Sequence, residues 1–419
     1  MKNTEKNIIN ICKASLNASQ SLAETKNSDR NKALKLIAKK ILKNKNYILL
    51  QNKKDIEKAK KAKIPAHLLD RLLLDEKRIL NLCRDISNIA KLKDPLGKVI
   101  NKTVRPNGLK ISKITVPIGL IAVIFESRPN VASDVAALCI KSGNSVILKG
   151  GKEAQFTTES IIKIIKDALK ETNIDHKAVT SLNDYTRKSV NILLKMDKYI
   201  DVLVPRGGRA LIENIKKNSN IPVFSHLDGI CHTYIDKYAK KSMAIDVSFN
   251  AKMRRTSICG ATETILCHKS VAKNILPKLI EKLINKNCKV KAEKVIKKIN
   301  KKVLPVKKED WSTEYLDAVV SIKIVNSLKE AIKHINYYSS GHTDAIITEN
   351  STAAKIFFQS INSAIVMHNT STQFADGAEF GLGAEIGIST GKLHARGPVS
   401  AAELTTYKYI VQGIGQLRN

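Results

Sequence analysis

One alternation constrains this chain more than any other feature. Residues 114–125 form an apolar, largely β-branched run that stops at the polar tetrad Glu126-Ser127-Arg128-Pro129. A helical pattern follows over residues 131–140, and after Gly143-Asn144 a second apolar run, residues 145–148, stops at Lys149-Gly150-Gly151. A run that is apolar at nearly every position predicts a strand covered on both faces. Strand, helix and strand at this spacing predict a βαβ unit, with parallel pairing and helices on both faces of the sheet. The pattern continues through a helix over 158–171, a strand over 202–204 closed by Pro205-Arg206-Gly207-Gly208, and a helix over 210–217. The first half therefore reads as a doubly wound α/β nucleotide-binding domain.

Around this core the texture changes. Residues 1–92 read as helices, with Leu34, Ile37 and Ile41 at helical spacing among lysines, and the segment 29–45 is expected to be amphipathic with Ser28 as its cap. A second α/β region spans 229–369 and includes a Lys-rich block, 270–302, expected to be surface helix. Lysine is otherwise everywhere: 59 of the 72 basic residues are Lys and 13 are Arg, against 38 acidic residues, a net charge of +34. Yet residues 371–391 hold five Gly and no Lys, which predicts a buried or substrate-facing loop. The charge raises the question of a nucleic-acid partner. Lys in place of bidentate Arg, and only 5% aromatic residues, argue for a solvated Lys-rich surface instead. With 43% hydrophobic residues the chain can build real cores, so global disorder is excluded. Seven cysteines without a C-x-x-C pair argue against a disulfide framework or a thiolate metal site. The N-terminus lacks a signal-like apolar region and no run reaches the ~18 residues that span a bilayer. A reducing cytoplasm is the expected compartment, without membrane attachment.

Two places carry candidate chemistry. A G-x-G-x-x-G fingerprint is missing, since residues 381–387 read G-x-G-x-x-x-G without a preceding strand. Lys149-Gly150-Gly151-Lys152 and Arg206-Gly207-Gly208 stand at strand ends, where glycines allow close backbone approach and amides at a helix start favour an anion. A tight strand-to-helix turn explains the same residues. The second place is Cys259, beside Gly260 and downstream of Lys252, Arg254 and Arg255. Cationic surroundings raise the thiolate fraction that attacks a carbonyl, although a buried, inert cysteine also fits the local sequence. Cys139 falls on the apolar face of a helix and reads as core.

The strings 116–119, 125–131, 146–154, 204–208, 228–232, 250–259 and 379–389, among them Phe125-Glu126-Ser127-Arg128-Pro129-Asn130 and Asp228-Gly229-Ile230-Cys231-His232, carry a resemblance. Over residues 10–417 the chain resembles the glutamate-5-semialdehyde dehydrogenases, or γ-glutamyl phosphate reductases, of the aldehyde dehydrogenase superfamily. The resemblance implies an α/β, aldehyde dehydrogenase-like fold: an NADPH-binding domain with N-terminal helices over 1–228 and a catalytic domain with the Cys nucleophile over 229–369. Residues 370–419 would form a substrate loop and an oligomerisation tail that returns to the first domain. The implied reaction is NADPH-dependent reduction of L-glutamyl 5-phosphate to L-glutamate 5-semialdehyde, the second step of proline synthesis from glutamate.

Residue by residue, the resemblance makes Cys259 the nucleophile, passing through a thioester and thiohemiacetal, and Cys231 a structural residue. Arg128 stands at the superfamily's oxyanion Asn, so the oxyanion donors are drawn from Arg128, Asn130 and the Cys259 amide; Arg128 can equally hold a phosphate or carboxylate. Lys149 matches the adenosine-ribose lysine. Gly151 and Lys152 replace the acidic residue that selects NAD, which favours a 2′-phosphate and NADPH. Gly207 and Gly208 resemble the pyrophosphate turn, and Glu314 the glutamate on the nicotinamide ribose, without the phenylalanine and glycine expected after it. Ser371, Thr372, Glu379 and Arg396 are the substrate candidates. Gly260 and Arg255-Thr256 also depart from the superfamily pattern without touching the nucleophile. The alternating tail 402–411 implies a strand of an oligomerisation sheet and a homo-oligomer. A separate glutamate 5-kinase would supply the labile acyl phosphate and is a candidate partner. Reduction of another acyl phosphate, aspartyl or N-acetylglutamyl, is the alternative enzyme reading; a basic nucleic-acid binder is the alternative from another class.

Overall fold

The computed structural model describes residues 2–225 and 227–418. The chain divides into two compact units, the first formed by residues up to Ser225 with Gly381–Gly387 and the chain from Val399, the second by the chain through Phe380 with Ile388–Pro398. Thus 370–419 is shared, with 381–387 and the tail in the first unit and the remainder in the second.

The first unit is built on four parallel strands in the order Val179–Ser181, Ser145–Lys149, Leu120–Phe125, Val202–Arg206. Every residue of Leu120–Phe125 and Ser145–Lys149 is buried, as their unbroken apolar runs require. The chain steps from Leu120–Phe125 outward to one side and then returns to its other side with Val202–Arg206. This reversal opens a crevice at the carboxyl ends, beyond Phe125 and Arg206. Helices Asn130–Lys141, Gln155–Leu169 and Arg209–Asn218 follow three of the strands.

Helix Asn27–Lys43 buries Ala33, Leu34, Ile37, Ala38 and Ile41, one stripe at helical spacing. The expected cap is corrected here: Ser28 lies within the first turn and Lys26 occupies the cap position without a side-chain bond. The stripe also buries Arg30, whose guanidinium bonds the Asp94 carboxylate at 2.9 and 3.0 Å and the Lys141 carbonyl at 2.5 Å. Lys141 is itself buried and donates to Asn27 and Asn31 at 2.9 and 2.8 Å. These bonds fasten the N-terminal helices to the helix beneath the crevice.

The single strand expected over 114–125 is two. Lys110–Pro117 belongs to a three-stranded antiparallel sheet between Val99–Val104 and Thr405–Gln412, and only Leu120–Phe125 joins the parallel sheet. The chain turns at Gly119, whose φ of +134° suits glycine and whose N–H donates to Asn144 Oδ1 at 2.8 Å. Apolar side chains are half-buried along Lys110–Pro117 and buried along Leu120–Phe125, so hydrophobicity alone hides the break.

The second unit holds seven parallel strands, ordered Leu304–Pro305, Lys289–Ala292, Val319–Val325, Thr262–His268, Cys231–Ile235, Thr343–Ile347, Ile365–His368. The block expected as surface helix is helix Lys269–Ile284 followed by strand Lys289–Ala292. In that strand Val290 and Ala292 point inward while Lys289 and Lys291 face outward, an alternation lost among neighbouring lysines. Among the described residues no helix is long and apolar enough to cross a membrane.

Candidate functional site

At the crevice of the first unit, the Glu126 N–H donates to the Arg206 carbonyl at 3.0 Å, tying the ends of the two central strands. The Glu126 Oε2 accepts from the Gly208 N–H at 2.9 Å. Gly208 is the N-cap of helix Arg209–Asn218 and has no side chain to cap it. A Cβ on Gly207 would lie 2.4 Å from Glu126 Oε2 and 2.6 Å from Leu211 Cδ2, so a side chain here would have to displace both side-chain ends. Next along the chain, Ser127 sits in the left-handed region at φ 44°. Its N–H and its hydroxyl both donate to Glu153 Oε1, at 2.7 and 2.9 Å. That strained residue is thereby held, and the loop carrying Arg128 is braced by carboxylates on either side.

Pro129 occupies the N-cap position of helix Asn130–Lys141 without a side-chain bond. The Asn130 amide donates one hydrogen to Asp134 Oδ2 at 3.0 Å, and an amide carries a second N–H. Burial pushes the Asp134 carboxyl up to about 7, with Asn130 and Ser133 pulling down, Asp85 pushing up and Arg206 pulling down. At the next strand end Lys149 is buried, donates to the Gly150 carbonyl at 3.1 Å and lies 5.0 Å from the centre of the Tyr185 ring. Burial lowers its pKa, while Asp184 and Glu153 push it back. Gly151 starts the short turn Lys152–Ala154, where a Cβ would strike the Glu153 carboxylate at 2.3 Å, and Lys152 is exposed beside it.

The residues therefore fit a dinucleotide. A glycine cradle at the switch point already accepts a carboxylate anion on a helix-start amide, and a buried lysine closes the neighbouring strand.

In the second unit Cys259 lies in the turn between helix Lys241–Met253 and strand Thr262–His268. Six of the seven cysteines are buried and Cys259 alone is partly exposed. Burial raises the thiols of Cys12, Cys267 and Cys288 to about 12 and of Cys83 to about 11, and raises Cys139 and Cys231 as well. Those six are inert at neutral pH. The backbone of Cys259 is fixed from behind. Cys231, at the start of the strand beside Thr262–His268, donates its thiol hydrogen to the Cys259 carbonyl at 3.1 Å. A Cβ on Gly229 would lie 2.2 Å from that same oxygen and 2.7 Å from the Cys259 Cβ.

The Lys-free segment packs against this turn. A Cβ on Gly260 would come 3.1 Å from the Thr372 carbonyl, and Thr372, Thr262 and Thr233 share a line of hydroxyl hydrogen bonds of 3.0 and 2.7 Å. Ser371 caps the short turn Thr372–Phe374, and the Gln373 amide donates to the Asn250 and Ala251 carbonyls at 3.1 and 2.9 Å. Ser371 and Thr372 are buried with local partners, whereas Glu379 is exposed. Arg396 is also exposed and bonds Asn362, through Oδ1 at 3.1 Å and through its carbonyl. Glu314 follows the turn Lys308–Ser312 and precedes Leu316, a left-handed residue at φ 51° whose N–H reaches Glu263 Oε1 at 3.4 Å. Glu263 is paired at 2.5 Å with Lys252, both fully buried. Burial pushes the Glu263 carboxyl up against the pull of Lys252.

The first unit thus brings Arg128, Asn130, Lys149, Gly151, Lys152, Gly207 and Gly208 to one edge of one sheet. The second sets Thr372 against Gly260, next to Cys259, with Ser371 capping the turn that Thr372 begins. Glu126, Glu153, the Lys252–Glu263 pair and the donor role of Cys231 were not singled out from sequence. Each adjoins a recognised motif residue, and that adjacency is their only signal.

An open α/β sheet with an anion cradle at its switch point, beside a second α/β unit with one partly exposed cysteine, points to the class of dinucleotide-binding α/β oxidoreductases. The profile of the aldehyde dehydrogenase family matches residues 1–297. The γ-glutamyl phosphate reductase of Paramagnetospirillum magneticum is 45% identical over 401 residues, spanning 96% of this chain and 95% of its own. The crystal structure of the Thermotoga maritima γ-glutamyl phosphate reductase superposes with a TM-score of 0.95 at 40% identity, covering 98% of this chain and 99% of that one. An engineered glycolyl-CoA reductase with bound NADP+ shares the fold at 16% identity, with a TM-score of 0.70 and 96% of each chain covered. The chain belongs to the γ-glutamyl phosphate reductases of the aldehyde dehydrogenase family. The α/β, aldehyde dehydrogenase-like fold implied by its motifs is the fold found.

Proposed function

We propose that the chain reduces L-glutamyl 5-phosphate to L-glutamate 5-semialdehyde with NADPH and releases phosphate, the second step of proline synthesis from glutamate. The observation that carries this reading is Cys259, the single partly exposed thiol among seven, in a turn held by Gly229 and Cys231. The Cys259 thiolate attacks the acyl carbonyl, the C–O bond to phosphate breaks, and a thioester forms. The acyl phosphate is already activated, so the chain has to supply orientation and oxyanion stabilisation rather than strong acid catalysis. Arg128, the free N–H of Asn130 and the Cys259 amide are assigned to the oxyanion or the leaving phosphate. NADPH, when bound, supplies the hydride that turns the thioester into a thiohemiacetal. Collapse of that adduct frees the semialdehyde and returns the Cys259 thiolate.

Gly207 and Gly208 are assigned to the cofactor diphosphate, Lys149 and Gly151 to the adenosine ribose, and Glu314 to the nicotinamide ribose. The exposed Lys152 favours the 2′-phosphate, which supports NADPH over NADH. Glu379 and Arg396 are assigned to the amino and carboxylate groups of the substrate, and Ser371 and Thr372 to shaping the loop behind Cys259. Residues 1–228 then serve the cofactor, 229–369 the chemistry, and 370–419 substrate grip and assembly. The exposed strand Thr405–Gln412 supports assembly into a homo-oligomer. The reading includes a cytoplasmic enzyme with glutamate 5-kinase as supplier of the substrate.

The test is the reverse reaction: glutamate 5-semialdehyde in its cyclic form, phosphate and NADP+ should yield NADPH with the wild type and none with Cys259→Ala. Activity in that variant would overturn the mechanism. Aspartyl and N-acetylglutamyl semialdehydes run alongside decide the substrate, and faster turnover of either would replace glutamyl phosphate.

A further inference from the structure

We infer that Glu126 is a self-ligand of the cofactor cradle: its carboxylate holds the Gly208 amide that a dinucleotide diphosphate would take, and must leave before the cofactor binds. The inference rests on the reading of the first unit as the cofactor domain. Three observations meet here. The Glu126 Oε2 accepts from the Gly208 N–H at 2.9 Å, so a donor at the start of helix Arg209–Asn218 is already engaged by an anion. A Cβ on Gly207 would lie 2.4 Å from the same oxygen, so the space that the glycine turn provides is filled by this carboxylate. The Glu126 N–H is bonded to the Arg206 carbonyl at 3.0 Å, which plants the residue on the switch point between the two central strands.

One N–H cannot serve both ligands. A carboxylate and a diphosphate oxygen at hydrogen-bonding distance from the same hydrogen would stand as like charges a few ångströms apart. Bound cofactor and bound Glu126 are therefore alternatives. Glu126 is exposed, so its carboxylate has water to move into, and a rotation about its side-chain bonds clears the cradle while the backbone bond to Arg206 stays. The capped state stabilises the helix start of the unloaded protein and lowers apparent cofactor affinity in proportion to its population. The two effects have opposite signs, which separates this role from a merely structural one. A structural brace, once removed, lowers stability and binding together.

The experiment compares wild type, Glu126→Ala and Glu126→Gln by melting temperature without ligand and by Kd for NADPH from fluorescence titration. Adenosine 2′-monophosphate, which carries no 5′-phosphate to reach the cradle, is the control ligand. Glu126→Ala should melt at lower temperature yet bind NADPH more tightly, by roughly 2- to 30-fold, the equivalent of a helix cap. Glu126→Gln keeps an acceptor for the Gly208 N–H without the charge, so it should melt near wild type and bind NADPH with intermediate affinity. Affinity for adenosine 2′-monophosphate should not change. If wild type binds NADPH and neither variant binds it more tightly, the inference falls and the cofactor reading stands. An equal gain for adenosine 2′-monophosphate also overturns it, because the effect would then be general charge. Failure of wild type to bind NADPH removes both.

Discussion

Gly229 has no room for a methyl group, because its Cβ would sit 2.2 Å from the Cys259 carbonyl oxygen, and the obstacle is backbone rather than the end of a flexible side chain. Gly229→Ala must therefore displace the turn that carries Cys259. A displacement near 1 Å from a productive geometry costs on the order of 100-fold in rate. We expect Gly229→Ala to keep its circular-dichroism spectrum and lose at least about 10-fold in kcat for phosphate-dependent NADP+ reduction; wild-type kcat would show that the turn tolerates the shift. Cys231 acts on the same oxygen through its thiol hydrogen. Cys231→Ser keeps a donor there and should retain most activity, whereas Cys231→Val leaves the carbonyl without it and should lower kcat several-fold, roughly the worth of one hydrogen bond. Equal kcat values for the two variants would sink the positioning role. At this scale the sequence showed a cysteine among cations beside a glycine. It could not show that the other six thiols are buried and that Cys259 alone is partly exposed, which is what favours it as the proposed nucleophile. Nor could it separate Ser371 and Thr372, engaged with neighbours, from the exposed Glu379 and Arg396, since all four lie in or near one Lys-poor stretch.

Elements were legible where one periodicity ruled and obscure where two met. The crossover 120–149 could be read because its strands are built on continuous apolar runs, whereas polar residues interrupt the intervening helix. The split at Gly119 could not, because a half-buried antiparallel strand and a buried parallel one are apolar in succession. Helix starts were harder still, since some caps come from distant sequence. Helix Gln155–Leu169 is capped by Asp55, which accepts the Thr157 N–H at 2.8 Å, its hydroxyl at 2.6 Å and the Phe156 N–H at 3.2 Å. Asp55→Ala should cost about 2 kcal/mol, since it removes a cap and leaves buried donors unmet; an unchanged melting temperature would refute this. Helix Asn130–Lys141 carries a different load in Asp134, whose carboxyl is raised to about 7, chiefly by burial. An unfolded aspartate titrates near 3.9. The folded state therefore holds the proton more tightly, and the stability this contributes is complete below about pH 4 and is lost as pH rises to about 7. Asp134 is half-buried, so screening keeps the effect to about 1–2 kcal/mol. Asp134→Asn does not titrate, so its melting temperature relative to wild type should climb by a few degrees between about pH 4 and pH 7 and then level off. A difference independent of pH would show that Asp134 is not raised.

Across the whole molecule, charge and exposed edges are what remain once the cores are accounted for. The strand Thr405–Gln412 leaves Tyr407, Tyr409 and Val411 at least half exposed on an antiparallel sheet edge, a surface that natural proteins seldom leave uncovered. If it joins copies of the chain, Tyr409→Glu together with Val411→Glu should lower the mass measured by light scattering, while an unchanged mass would assign assembly elsewhere. The charge of +34 has a kinetic rather than an architectural consequence. Most lysines are exposed to water, and such charges act at a distance set by salt, about 30 Å at 0.01 M and about 8 Å at 0.15 M. Both proposed ligands, an acyl phosphate and NADPH, are anions, so a positive field raises their encounter rate and leaves the bound chemistry unchanged. We therefore expect kcat/KM to fall several-fold as salt rises from about 10 to about 300 mM while kcat holds steady, because the field speeds capture only. A parallel fall in both would point to ion pairs within the site, and a kcat/KM indifferent to salt would reduce the lysine excess to surface composition without a role in capture.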